Sequence, residues 1–251
     1  MDSISAIVSP LTRALDAVAA VVFAPSCAAC GELLEQPTAG PVCAACWRAV
    51  LPLTPPLCQR CGDALPAWRT ISQPLAICPR CRRRPPAVDR AEALGTYDGA
   101  LRAIVHALKY EGRRSLARRL AALMRQRCGA IFDQADCLIP VPLHRSRLRE
   151  RGFNQAADLA KHLDLPVVHA LRRVRPTPSQ ISLPASRRHA NMRDAFAPTR
   201  HAATVAAAVV VLVDDVSTTG ATLDACARVL KQAGASEVRA ITAARAVLPQ
   251  R

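Results

Sequence analysis

Val209-Val210-Val211-Leu212-Val213 is an unbroken run of branched apolar residues that leads directly into Asp214-Asp215. A half-exposed strand alternates apolar and polar side chains; a run without alternation suits a strand of a parallel sheet covered on both faces. That constraint points to an α/β fold. In such open sheets ligands bind beyond the carboxyl ends of the strands, which is where the two acids emerge. Ser217-Thr218-Thr219-Gly220-Ala221-Thr222 then leads into the amphipathic run from Leu223 to Leu230. Unpaired backbone N–H groups at that helix N-terminus can face a phosphate, and Gly220 lets the backbone approach closely. The corner reads as a sugar-phosphate cradle, with a polar-capped strand–turn–helix corner as the plainer alternative. A response-regulator receiver carries paired acids after its first strand, with roughly a hundred residues of domain to follow; here only the tail to Arg251 remains. No Gly-Lys-Ser/Thr occurs, so a Walker-type loop fails as well.

Eight of the eleven cysteines form four Cys-x-x-Cys pairs: Cys27/Cys30, Cys43/Cys46, Cys58/Cys61 and Cys78/Cys81. Two residues between thiolates let both sulfurs of a tight knuckle reach one zinc ion, and two knuckles complete a tetrahedron. Twelve residues separate the first two pairs and sixteen the last two, enough for a short hairpin each. Neighbouring pairs therefore form two successive zinc ribbons, with interleaved pairing left open. Gly31 and Gly62 follow the second cysteine of a knuckle, where the turn needs backbone freedom. A disulfide scaffold is disfavoured without an export signal, and four clustered pairs ahead of any βαβ pattern do not resemble a thioredoxin motif. The zinc is read as structural, since metal binding supplies the folding energy of so small a module. Trp47 and Trp68 are read as packing for these small cores, and Cys128, Cys137 and Cys226 as inert core residues.

At 251 residues and 51% hydrophobic, the chain can bury an α/β core and still carry a small appended module. The expected organisation is an N-terminal amphipathic helix over 1–24, a double zinc ribbon over 25–84 and an α/β domain over 88–251. Ile4, Val8, Leu11, Leu15, Val18 and Val22 give the first helix an apolar face expected to pack on its own domain. Its flank carries Asp2 rather than a basic n-region, and Asp16 interrupts a run too short to span a bilayer, so a cytoplasmic protein is expected. The net charge of +15 favours polyanions. It is also explained by a compositional habit, since nearly all of it is arginine and Lys109, Lys161 and Lys231 are the lysines. Eight thiolates balanced by two zinc ions would subtract about four units and leave the chain cationic. Aromatic residues are 3% of the chain, too few for a base-stacking platform.

Arg82-Arg83-Arg84-Pro85-Pro86 is expected to form a hinge. Beyond it come a strand over 92–97, a helix with Leu101, Ile104, Val105 and Leu108 inward, and a second helix with Leu116, Leu120, Leu123 and Met124 inward. Arg113, Arg114, Arg118 and Arg119 at the start of that helix are expected to face water. A strand over 137–142 precedes the basic stretch from Arg145 to Arg151, then a helix to His162 and another short strand. The polar connection from Arg172 to Phe196 has the length of a mobile lid. His106, His144 and His189 are read as ordinary surface or capped residues.

The apolar strand, two acids and Thr-Thr-Gly-x-Thr loop resemble the phosphoribosyl pyrophosphate (PRPP) signature of type I phosphoribosyltransferases. Leu108-Lys109-Tyr110, Val141-Pro142-Leu143-His144, Arg151-Gly152-Phe153-Asn154-Gln155, Arg175-Pro176-Thr177 and Asn191-Met192-Arg193, taken with the ribbons, narrow the resemblance to the ComF competence-protein family. The resemblance implies a type I phosphoribosyltransferase fold, a parallel sheet flanked by helices. It implies that Asp214 and Asp215 hold the ribose hydroxyls and that Ser217, Thr218, Thr219, Gly220, Ala221 and Thr222 hold the 5′-phosphate. It places Lys109 and Tyr110 in the pyrophosphate loop, Arg187 and Arg188 on a flexible loop closing over it, and a magnesium ion on the pyrophosphate. Purine-salvage members of the superfamily carry an acid in the phosphate loop where this chain has Thr218, so the acceptor is left open. Two functions follow from the resemblance: phosphoribosyl transfer, or non-catalytic PRPP sensing joined to single-stranded DNA or the DNA-uptake machinery in natural transformation.

Overall fold

The computed structural model of the protein describes residues 10–65, 76–176 and 194–246. Helix α1 (Pro10–Phe23) precedes two small cysteine-bearing modules that contain the short helices α2 (Ala44–Arg48) and α3 (Pro79–Arg83). The α/β domain follows as β1 (Arg90–Thr96), α4 (Gly99–Tyr110), α5 (Leu116–Arg127), β2 (Cys137–Pro140), α6 (Arg145–Arg151) and α7 (Gln155–Ala160). It continues with β3 (Leu171–Arg173), β4 (Phe196–Pro198), β5 (Val209–Ser217), α8 (Ala221–Gln232) and β6 (Glu237–Arg245).

The main sheet has the order β1-β6-β5-β2 and is parallel throughout. Strand β5 lies inside it, and side chains of successive strand residues point to opposite faces. Val211 and Val213 enter one core with Leu101, Ile104, Leu120, Met124 and Leu159 from α4, α5 and α7. Val210 and Leu212 enter the other with Leu223, Cys226 and Leu230 from α8 and Phe196 from β4. Both faces are covered, which is why the sequence of this strand shows no polar alternation. Strand β6, between β1 and β5, has no such run. It carries three alanines between Ala240 and Ala244, residues that favour helices by propensity, and its place in the middle of the sheet overrides that preference. Strands β3 and β4 form a separate antiparallel pair over the second core.

Several local expectations change. The apolar stripe of α1 faces solvent: Leu11 is 71% exposed and Val18 60%. The inward residue is Asp16, whose Oδ1 accepts the Thr38 amide at 2.8 Å. The helix turns this polar contact, not its apolar stripe, towards the first ribbon. The basic stretch from Arg145 to Arg151 is helical, and Gly152 closes α6 in the left-handed region. Arg113, Arg114, Arg118 and Arg119 are exposed as expected, and two of them also have partners. Arg114 makes two bonds of 2.7 and 2.8 Å to Asp158, and Arg119 lies over the Trp47 ring at 4.8 Å. The expected hinge at 82–86 begins inside α3, and its far end is fastened by the Ala87 amide donating to Asp224 Oδ1 at 2.7 Å. The three solitary cysteines are buried as expected.

Strand β1 is an edge strand, and edge strands expose unpaired backbone groups. The connection between the cysteine modules covers it: Leu51 O accepts the Thr96 amide at 3.2 Å. A Cβ on Gly95 would stand 2.2 Å from that carbonyl, so only glycine lets the connection lie so close.

Candidate functional site

Asp214 and Asp215 occupy the carboxyl end of β5, and strand alternation sends them to opposite faces. Asp215 turns towards α4, where its Oδ1 meets Lys109 Nζ at 2.8 Å. Burial alone would lower the Lys109 pKa; the Asp215 charge outweighs it and holds the ammonium above its usual range. Asp214 turns towards α8 and β3. Burial pushes its carboxyl up to about 7, with the Asp215 charge adding to the effect and Lys109, the Asp215 amide and Arg173 opposing it. The Asp215 amide donates to Asp214 Oδ1 at 2.9 Å. The acid pair is therefore an asymmetric couple: Asp215 is neutralised by a cation, and Asp214 carries the raised pKa.

The loop that follows has the polarity of an anion cradle. The amides of Thr218, Thr219 and Gly220 have no partner among the described residues. Gly220 caps α8 with φ of 77°, a left-handed conformation that disfavours other residues. A Cβ there would meet no protein atom within 4 Å. The glycine is needed for its backbone angle, and the space beyond is open to a ligand. Ser217, Thr219 and Ala221 are buried, Thr218 and Thr222 half-buried. Thr219 Oγ1 accepts the Ala221 amide at 3.4 Å, which braces the turn.

Lys109 and Tyr110 lie in the last turn of α4, not in a loop. The helical bonding persists to Glu111, whose amide donates to Ala107 O at 3.1 Å. Lys109 therefore reaches the site from a rigid element. Tyr110 is 59% exposed, with the His106 ring 4.7 Å away and the Arg151 guanidinium over it at 5.1 Å. Arg187 and Arg188, with the greater part of the expected lid, lie outside the described residues. Two residues near the corner carried no sequence signal. Arg173 on β3 stands close enough to Asp214 for each to shift the other. Arg245, at the end of β6, donates to Ser217 Oγ at 3.4 Å. Its position opposite Ser217 is set by strand register, which the order of residues along the chain does not display.

The cysteines assemble into two tetrads, Cys27/Cys30/Cys43/Cys46 and Cys58/Cys61/Cys78/Cys81, with all sulfurs of a tetrad within 4.8 Å of one another. Pairing is successive, not interleaved. Sulfurs bound tetrahedrally to zinc at about 2.3 Å would stand about 3.8 Å apart; Cys27–Cys46, Cys30–Cys43 and Cys61–Cys78 measure 3.9, 3.9 and 3.7 Å. Amides point at the sulfurs, among them Cys43 N to Cys27 and Cys78 N to Cys58, both at 3.3 Å. Burial raises the Cys27 thiol, but amides led by that of Cys43 bring it down to about 6; burial and its neighbouring thiols drive Cys46 upward. A divalent metal bound by four thiolates satisfies all four sulfurs at once. No disulfide links any of the eleven cysteines. The donor set and its spacing fit structural zinc.

Residues 114–247 match the phosphoribosyl transferase domain, and residues 18–82 match the double zinc ribbon domain. The "DNA utilization protein YhgH" of Salmonella typhimurium is 34% identical over 212 residues, covering 79% of this chain and 87% of that protein. The chain belongs to the ComF family. "Competence protein F" of Haemophilus influenzae is 29% identical, covering 82% of the chain and 90% of that relative. "Competence protein ComFC" of Bacillus subtilis is 26% identical, covering 77% and 79%. The paired acids, the Thr-Thr-Gly-x-Thr loop and all of β5, α8 and β6 fall inside the phosphoribosyl transferase match; Lys109, on α4, precedes it. No helix among the described residues is long and apolar enough to cross a membrane.

Proposed function

We propose that this ComF-family chain binds PRPP at the carboxyl end of β5 and transfers its phosphoribosyl group. The observation that carries the reading is the juxtaposition of Asp214 and Asp215 with three unpartnered loop amides and Lys109. The amides of 218–220 and the hydroxyls of Ser217, Thr218, Thr219 and Thr222 receive the 5′-phosphate, with Ala221 opening α8 beneath it. Asp214 and Asp215 accept hydrogen bonds from the ribose 2′- and 3′-hydroxyls. In the transfer the C1′–O bond breaks and its electron pair leaves with pyrophosphate; an acceptor lone pair forms the new bond at C1′, and the acceptor's proton passes to solvent. Positioning and electrostatics supply most of such catalysis. Lys109 balances the departing charge with Tyr110 beside it, and Arg187 and Arg188 are assigned to the same pyrophosphate. Magnesium on the pyrophosphate supplies further charge neutralisation when bound.

Lys109 Nζ pairs with Asp215 Oδ1 at 2.8 Å, so for the ammonium to serve the pyrophosphate this pair must loosen. We assign two structural zinc ions to the ribbons, treat 25–84 and 88–251 as the functional units, and assign the chain to the cytoplasm, where its eleven cysteines, none in a disulfide, are kept reduced. The names of its relatives, in competence and DNA utilisation, support a role beside DNA. The net charge of +15 favours a second reading, in which PRPP is sensed without transfer and the cationic surface engages single-stranded DNA.

Titration with PRPP tests the shared premise. Asp214→Ala/Asp215→Ala is expected to weaken binding by about a hundredfold or more, the loss of two hydrogen-bonded charges; unchanged affinity would overturn both readings. Pyrophosphate release with candidate acceptors separates them: no turnover with any base, together with salt-sensitive single-stranded DNA binding, supports sensing. The pH response has a definite sign. Asp214 is raised from an ordinary 3.8 to about 7, so the folded chain holds a proton that the unfolded chain has lost. That contribution to stability is present at low pH and fades as pH rises between those two values. PRPP affinity moves the other way, increasing from about pH 6 to about pH 8 as the carboxylate forms. Asp214→Asn is expected to flatten the affinity profile.

A further inference from the structure

Arg245 is 3% exposed, and a guanidinium so buried is costly without an anionic partner. Its partner comes from the second ribbon. Arg245 Nε donates to Asp63 Oδ1 at 2.6 Å, and Nη2 pairs with the same oxygen. The remaining nitrogen, Nη1, donates to Ser217 Oγ at 3.4 Å, and the Ala246 amide donates to Ser217 O at 2.9 Å. Ser217 is the last residue before the amides of 218–220. The carbonyl of Arg245 accepts the Tyr97 amide at 2.7 Å, next to Asp98, the residue that caps α4 and so sets the helix carrying Lys109. Both halves of the candidate site thus attach to one arginine.

Asp63 is equally tied on its own side. Its carbonyl accepts the Cys58 amide at 2.7 Å within the cysteine turn, and Oδ2 takes Arg80 Nη2 at 2.7 Å. Between this ribbon and the loop lies a cavity of about 60 Å³, bordered by Arg60, Arg84, Thr219, Gly220 and Leu223. Close packing does not fill that gap, so support from the ribbon reaches the loop through the ion pair.

We infer that Asp63 and Arg245 are positioning residues for the phosphate loop: the second ribbon fixes Asp63, Asp63 fixes the guanidinium, and the guanidinium holds Ser217 at the loop's base. The ribbon then has a task at the site without touching ligand. This deepens the phosphoribosyl reading and rests on it for the affinity measurement alone. Asp63→Asn removes the charge and keeps the shape. Expected results are unchanged zinc content, hydrogen exchange at 217–222 faster by about tenfold, and PRPP affinity weaker by about tenfold, the middle of the range for coupling through a contiguous network. Asp63→Glu should recover part of both losses. Arg80→Gln, which removes the other partner of Asp63, should stay within about twofold of wild type. Unchanged loop exchange in Asp63→Asn would overturn the inference. So would loss of zinc from that variant, or an equal effect of Arg80→Gln, since either reduces Asp63 to a prop of the ribbon. Failure of the wild type to bind PRPP would sink the phosphoribosyl reading instead, leaving the exchange measurement to decide the positioning.

Discussion

The two ribbons have the same four-cysteine chemistry and opposite ways of joining the rest of the molecule. The first shares the main core: Leu34, Val42, Trp47 and Val50 cluster with Leu101, Leu120 and Met124, and Arg127 donates to Val50 O at 3.1 Å. The second forms a separate small cluster of its four cysteines with Leu65 and Ile77. It meets the α/β domain through the Asp63–Arg245 pair and the close approach of Gly62 to Ala91 of β1, beside the 60 Å³ gap and a second cavity of about 630 Å³ bordered by Leu53, Gln59, Glu92 and Leu94. Apolar fusion transmits stability, because removing either side exposes the other. An ion pair across a loosely packed boundary adds little net stability and fixes orientation, which suits a positioning role.

The largest test of this contrast is metal removal, because structural zinc supplies about 10–16 kcal/mol of apparent binding energy in zinc-finger peptides. Cys46→Ser is expected to collapse the main calorimetric unfolding transition. Cys81→Ser should lose metal and leave that transition within about 5 °C. The reverse order would break the comparison. Next in size is Trp47→Ala, expected to cost about 3–5 kcal/mol in urea unfolding, against about 1 kcal/mol for Leu65→Ala in the second ribbon. The smallest effect sharpens the picture of the first interface. Arg119 lies over Trp47 at 4.8 Å, and a double-mutant cycle between them should return a coupling of about 0.5–1 kcal/mol. A coupling near zero would leave the interface purely apolar.

Features read correctly from the sequence are those whose cause is local. Five branched residues in a row required a strand covered on both faces, and Val210 to Val213 are fully buried in two cores. Cys-x-x-Cys spacing predicted metal knuckles, and the sulfurs converge. Misread features had local patterns that tertiary contacts overrode. The apolar stripe of α1 predicted its buried face, yet the polar bond of Asp16 turned the helix the other way. A charge run predicted solvated arginines, and they are exposed, but the bond from Arg114 to Asp158, 44 residues away, was not legible. Strand β6 hid behind alanines.

The order of residues by itself determined an α/β domain with an acid-tipped strand and two metal-binding modules, because strand period, helix caps and knuckle spacing act over a few neighbouring residues. Tertiary structure alone decided that the two acids part to opposite faces with Lys109 on one of them, that the first ribbon merges with the core, and that Arg245 bonds an aspartate 182 residues earlier. Those outcomes depend on sheet order and register. Such long-range pairings leave no periodic trace along the chain, since the energy that fixes them comes from many distant contacts formed together.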